Sequence, residues 1–177
     1  MEKRKTNHSA DFFIEFFKNS SLLGTPFQSS RCLVKAVAQE VVGTNVVELG
    51  AGNGPITQGI LNNPLQVNLS AFEINPKLLE NLSKIKNPRL NIINQDAENF
   101  FESVPSFDCV VSGLPLTSLP REVTHRILTE SKKAKKFIQY KYFPEKKLLR
   151  KYFNNVSVRV VWRNMPPALV YVCENKP

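Results

Sequence analysis

Histidine and cysteine are scarce, at two and three in 177 residues. His8 and His125 leave too little for a zinc site, so no metal is expected, and a histidine-based mechanism is disfavoured. Cys32, Cys109 and Cys173 are odd in number, widely spaced and without a CxxC pair. That excludes a disulfide framework and points to reduced thiols in a cytoplasmic protein. No apolar run approaches the roughly 18 residues of a membrane-spanning helix. The start MEKRK is basic, but the apolar stretch after it is short and holds Glu15, so no signal peptide is expected. Internal repeats and low-complexity segments do not occur. What remains is 42% hydrophobic and 22% charged, the profile of a globular protein with a substantial core. The length points to one domain.

Acidic charge is short too, and the deficit is local. The net charge is +9. Residues 1–119 carry ten Lys/Arg against eleven Asp/Glu, whereas residues 120–163 carry thirteen against three. One contiguous stretch therefore holds the whole excess. It suits an anionic partner: nucleic acid, an acidic membrane surface or a phosphorylated substrate.

Periodicity divides the chain. Phe12, Phe13, Phe16 and Phe17 share one side of a helix over residues 10–19. A break at Gly24, Thr25 and Pro26 follows. Ser29 and Ser30 then offer caps for a second helix with the stripe Leu33, Val34, Val37, Ala38 and Val41. Short strands are expected at residues 45–49, 67–73, 90–94, 107–111 and 136–140. The helices between them open at Pro55, at Asn75 and Pro76, and at Ser118 and Pro120, and another is expected at about 144–152. Two alternating runs, Val156/Val158/Val160 and Ala168/Val170/Val172, close the chain as an antiparallel hairpin. Strands alternating with helices imply an α/β fold, a mostly parallel sheet covered on both faces.

The segment VVELGAGNGPIT at residues 46–57 holds three of the seven glycines, Gly50, Gly52 and Gly54. They follow a strand and open a helix, where glycine permits a tight turn and lets a ligand approach the backbone. Glu73 stands 19 residues after Gly54, at the end of the next strand. A carboxylate there can accept hydrogen bonds from two ribose hydroxyls. Asp96 ends the third strand and can receive the exocyclic amine of an adenine.

The spacing is GxGxG preceded by Glu48, not the GxGxxG of dinucleotide sites. Here the chain resembles the class I S-adenosylmethionine-dependent methyltransferases over about residues 29–174. The resemblance implies a Rossmann-like sheet of seven strands, the last antiparallel. It implies S-adenosyl-L-methionine as cofactor, held by Glu48, Gly50, Ala51, Gly52 and Gly54 at the methionine part. Glu73 and Ile74 would lie at the ribose, and Asp96 and Ala97 at the adenine. Residues 29–177 would be the cofactor-binding domain, and residues 1–28 an N-terminal amphipathic helix and lid segment.

The fourth strand runs into Ser112, Gly113, Leu114, Pro115 and Leu116. Methyltransferases of nucleobase amines carry an Asn or Asp here and then an aromatic that stacks on the base. In this chain Ser112 stands for the amide or acid and Leu116 for the aromatic, so a stacking platform is missing. With the Phe-rich segment, Ser29-Ser30-Arg31 and Arg163-Asn164-Met165-Pro166-Pro167, this loop looks like the small bacterial phospholipid N-methyltransferases. Those methylate the amine of phosphatidylethanolamine or related amino lipids and are similar to the rRNA adenine dimethylases. The resemblance implies an acceptor site at Ser112, Gly113, Leu114 and Pro115. Tyr140 and His125 are the candidate proton acceptors.

The reading that follows is an amino-lipid N-methyltransferase, cytoplasmic and peripheral to the inner face of the membrane. The Phe stripe and the basic stretch would meet an anionic surface. The alternatives are an RNA (rRNA adenine) or protein amino methyltransferase, for which the basic stretch serves equally well, and a non-catalytic cofactor-binding module. The chain runs about three residues past its last expected strand, so the C-terminal helical domain of rRNA adenine dimethylases is not expected.

Overall fold

A computed structural model describes residues 29–175. The Phe-rich helix expected at residues 10–19, and the lid segment with it, lie outside the described residues. Helix α1 (Arg31–Ala38) is capped by Ser30, whose Oγ accepts the Leu33 N–H at 3.2 Å. Then come β1 (Asn45–Leu49), α2 (Pro55–Leu61), β2 (Asn68–Phe72), α3 (Pro76–Leu82) and β3 (Leu90–Ile93). A 3₁₀ turn (Ala97–Asn99) runs into α4 (Phe100–Ser103). The chain continues with β4 (Cys109–Ser112), α5 (Arg121–Ser131), β5 (Lys136–Lys141), α6 (Lys146–Leu149), β6 (Asn155–Val161) and β7 (Ala168–Glu174).

The seven strands form one sheet in the order β3-β2-β1-β4-β5-β7-β6. The first five are parallel, and β7 runs against both β5 and β6. Parallel strands have helices on both faces, so their residues are buried whichever way they point. Strand β4 shows this in four residues: Val110 enters one hydrophobic cluster while Cys109 and Val111 enter the other. The first cluster gathers Phe72, Phe100 and Phe137 under α4, α5 and α6; the second gathers Val46, Leu69 and Ile138 under α1 and α2. Cys109 and Cys173 are buried and unpaired, and burial pushes both thiols up to about 12.

Two expected helices are shorter than their apolar stripes, α1 ending at Ala38 before Val41. Helix α6 covers four residues, not 144–152. Beyond it the chain continues in three-residue turns, with Lys151 N–H donating to the Leu148 carbonyl and Tyr152 N–H to that of Leu149. Those turns still bring Phe153 inward to stack on Phe137, ring centres 5.3 Å apart. The stripe therefore reports packing and not a continuous α-helix.

What matters for function is the central pair. β1 connects outward to β2 and β3 on one side, β4 outward to β5 on the other. Between two strands whose connections diverge, a crevice opens at their carboxyl ends. Residues 50–54 and 113–116 both leave the sheet there.

Candidate functional site

The loop after β1 is held against the next strand. Gly50 and Ala51 N–H groups both donate to the Phe72 carbonyl, at 2.9 and 3.0 Å. Gly50, Gly52 and Gly54 all have φ between 60° and 88°, a region that favours glycine. At Gly50 space is also short, since a Cβ would lie 2.8 Å from Leu114 Cδ2. At Gly52 a Cβ would meet nothing within 4 Å. Glycine there answers to the backbone alone, and the loop's open side stays clear.

Glu73 fastens this loop. It is 4% exposed. Its Oε2 accepts the Gly52 N–H and its Oε1 accepts those of Ile74 and Asn75, all at 2.8 Å. Burial raises its carboxyl pKa although these three N–H groups pull it down. Glu48, wholly buried on β1, accepts the Thr57 hydroxyl proton on Oε2 at 2.6 Å. Its Oε1 has no hydrogen-bond partner among the described residues. Burial pushes its pKa up to about 8, against the opposing Thr57 bond and with a smaller push from the Glu73 charge.

Asp96 follows β3 and caps the 3₁₀ turn, its Oδ1 accepting the Glu98 N–H at 2.9 Å. Its Oδ2 is buried and without a partner among the described residues. Burial raises this carboxyl too. A narrow cleft joins Glu73 and Asp96 to the glycine loop, lined by Gly50, Phe72, Glu73, Asp96, Ala97 and Leu114 among others. Ile74 and Gln95 complete its wall. The cleft thus has an apolar floor, carboxyl groups from two strand ends and a glycine loop at its mouth. A buried carboxyl oxygen left over is costly unless a donor reaches it. Glu48 Oε1 and Asp96 Oδ2 are the two carboxyl oxygens of these strands left without a partner among the described residues.

Beside the cleft, the loop after β4 is braced from behind. The wholly buried Ser112 accepts the Leu114 N–H on Oγ at 3.3 Å. Gln139, beside Ser112 in the β4–β5 register, donates its side-chain N–H to the Leu114 carbonyl at 2.8 Å. Buried Glu145 receives the Thr117 hydroxyl at 3.1 Å. Leu116 is 1% exposed and belongs to the core. His125 is exposed on α5, its Nδ1 3.1 Å from the Tyr152 hydroxyl. Gln139 and Glu145 escaped sequence reasoning; the available signal was a glutamine inside the apolar strand FIQY, which had to find a polar partner. Among the described residues no cluster of His, Cys, Asp or Glu can hold a metal ion.

Comparison with known proteins agrees with this geometry. A methyltransferase domain family matches residues 46–136, from β1 to the start of β5. An ornithine lipid N-methyltransferase of Singulisphaera acidiphila is 29% identical over 184 residues, covering 92% of this chain and 95% of its own. Among solved structures, the 1,6-didemethyltoxoflavin N1-methyltransferase of Burkholderia thailandensis, crystallised with S-adenosylhomocysteine, superposes with a TM-score of 0.69. It is 14% identical, over 95% of this chain and 87% of that one. The precorrin-6y C5,15-methyltransferase of Geobacter metallireducens gives 0.65 at 15% identity, over 86% and 91%. At such identities the likeness is one of fold. With more than half the chain inside the matched family and a cleft of this chemistry at its topological switch point, the chain belongs to the methyltransferase domain family and is an S-adenosylmethionine-dependent methyltransferase.

Proposed function

We propose that this methyltransferase acts on the primary amine of an amino lipid, at the surface of an anionic membrane. When bound, the cofactor supplies an electrophilic methyl group on a sulfonium. The chain's own residues then have two tasks: hold the cofactor and align a free amine. Glu48 and the loop of Gly50, Ala51, Gly52 and Gly54 would hold the amino-acid end. Glu73 with Ile74 would hold the ribose, and Asp96 with Ala97 the adenine. The loop of Ser112, Gly113, Leu114 and Pro115 would face the acceptor.

The observation that carries the lipid reading is the make-up of the sheet's carboxyl edge. The strand register puts Lys141 opposite Leu169 and Val161 opposite Ala168. Residues 142–144 and 162–167 therefore leave the sheet at the edge where the cleft opens. They bring Phe143, Trp162 and Met165 there, exposed by 75%, 76% and 91%. Exposed apolar side chains of this size mark an interaction surface when they gather. Arg163 on the same connection, and Lys146 and Lys147 just past Pro144, add positive charge. Aromatic and Met side chains with Lys and Arg close by in the chain fit a headgroup layer of anionic lipid, where each basic residue contributes about 1 kcal/mol. Burial of Leu116 removes the stacking surface that a nucleobase would need. The similarity to an ornithine lipid N-methyltransferase supports the same acceptor class. No helix among the described residues is long and apolar enough to cross a membrane, so attachment would be peripheral.

Labelled S-adenosylmethionine should pass its methyl group to vesicles holding an amino-phospholipid and an anionic lipid. rRNA offered in parallel should stay unlabelled. Label on the RNA and none on the lipid would replace this reading with the RNA one. The double substitution Trp162→Ala and Met165→Ala should reduce sedimentation with the same vesicles at least fivefold. Affinity for S-adenosylhomocysteine should not change. Equal sedimentation would remove this edge from the account.

A further inference from the structure

Position 113 lies in the acceptor loop and has no side chain, yet the space beside it is filled. A Cβ built on Gly113 would lie 2.3 Å from the Tyr140 hydroxyl oxygen, 2.7 Å from Tyr140 Cζ and 3.2 Å from the Gly50 carbonyl oxygen. Gly113 does not have a positive φ. Its backbone does not call for glycine; the phenol does.

Tyr140 arrives from β5, whose Gln139 pairs with Ser112 of β4. Gln139 points to one face of the sheet and takes the Leu114 carbonyl. Its successor in the strand points to the other face, and carries its hydroxyl to the junction of the two loops. Two other polar groups of the acceptor loop are committed. Ser112 Oγ is wholly buried and accepts the Leu114 N–H, and the Leu114 carbonyl is held by Gln139. The Tyr140 hydroxyl, by contrast, has no hydrogen-bond partner among the described residues.

We propose that the Tyr140 hydroxyl oxygen, seated in the space that Gly113 leaves, accepts an N–H of the acceptor amine and so aligns its lone pair for methylation. The inference rests on the amine-methylating reading and adds to it the group that touches the acceptor. A phenol oxygen can accept a hydrogen bond while keeping its own proton. Burial, and after it the Glu48 charge, hold the phenol pKa well above its ordinary value. Tyr140 therefore stays neutral through the working range. It positions the amine and does not take the proton that an ammonium must lose before attack. A single neutral oxygen suits a small aliphatic amine. A planar base would need a stacking surface that this loop does not carry.

Tyr140→Phe removes that oxygen alone and keeps the ring that fills the strand's face. In the full chain, assayed with amino-phospholipid vesicles, kcat should fall at least 30-fold. The dissociation constant for S-adenosylhomocysteine and the melting midpoint should stay within experimental error of wild type. Gly113→Ala, whose methyl group displaces the phenol, should lose activity to a similar degree. The double variant should lose little more than either alone, because both changes remove one interaction. If wild type is active and Tyr140→Phe keeps kcat within threefold, the role of Tyr140 is overturned and the lipid reading stands. Wild type that leaves the vesicles unlabelled would instead overturn the amino-lipid reading, and this inference with it.

Discussion

Glu73→Ala is expected to weaken the binding of S-adenosylhomocysteine by at least tenfold, about 1.4 kcal/mol, and to destabilise the fold as well. The proposed site gives the side chain two jobs that share one carboxylate. It holds three backbone N–H groups, of Gly52, Ile74 and Asn75. Hydrogen bonds to a charged group contribute about 1.5–3 kcal/mol each. Alanine leaves these donors near the cleft without their acceptor, so the glycine loop keeps its Gly50 and Ala51 bonds to Phe72 but loses the tie at Gly52. One acceptor position stays open on Oε2, which takes a single N–H. A ribose hydroxyl would fill it. Glu73→Gln separates the two jobs. Its carbonyl can keep the Ile74 and Asn75 bonds, but its NH2 would face the Gly52 N–H instead of accepting from it. The glutamine variant should therefore keep most of the stability and lose most of the affinity. Calorimetry and urea unfolding on wild type and both variants give the comparison. Unchanged affinity in Glu73→Ala would remove this residue from the cofactor site.

Which parts were legible beforehand follows from the range of the interactions. The strands announced themselves because a strand's alternation and a helix's stripe are local patterns, and Pro55, Asn75 and Pro76 mark helix starts by local chemistry. The acids were legible for the same reason: Glu48 precedes the glycines by two residues, and Glu73 and Asp96 stand where strands end. Their surroundings were less so. Glu73 was expected to face ribose hydroxyls, and it spends most of its capacity on backbone N–H groups. The brace behind the acceptor loop was not legible. Gln139 and Tyr140 reach that loop through lateral pairing of β5 with β4, across about 25 residues of chain. No local pattern encodes that register. The burial of Leu116 has a similar cause, since the loop turns it into the core and α5 fixes it there, with Thr124 Oγ1 donating to the Leu116 carbonyl at 2.8 Å. A leucine in a strand-to-helix loop does not reveal which way it faces.

Glu48→Gln should make the protein more stable at alkaline pH and a poorer binder there. Glu48 has no exposure, and burial is the main reason its pKa rises from an ordinary 4.5 to about 8. The folded chain therefore keeps a proton that the unfolded chain releases near its ordinary pKa. The stability tied to that proton is complete below about pH 4.5 and is lost as pH climbs through about 8. Across this window the slope is at most about 1.4 kcal/mol per pH unit, a loss on the order of 3–5 kcal/mol by pH 8.5. Glutamine has the same shape, can still accept the Thr57 hydroxyl and does not titrate. Urea midpoints of variant and wild type should lie close together at pH 4.5 and separate in favour of the variant by pH 8.5. The slope should shrink without vanishing, because burial raises Glu73, Asp96 and Glu145 in the same direction. Affinity should move the other way. Above about pH 8, where Glu48 is ionised, a carboxylate beside the cofactor's ammonium would gain from its charge and the amide lacks it, so S-adenosylhomocysteine should bind at least tenfold more weakly at pH 8.5. Parallel pH profiles for the two proteins would show that Glu48 is not held protonated by burial. Equal affinity would show that its unpartnered oxygen does not serve the ligand. On the proposed site, the wild-type residue is a destabilising group that the cofactor would relieve: it is costly to the fold above neutral pH and would be offset by a cation beside it.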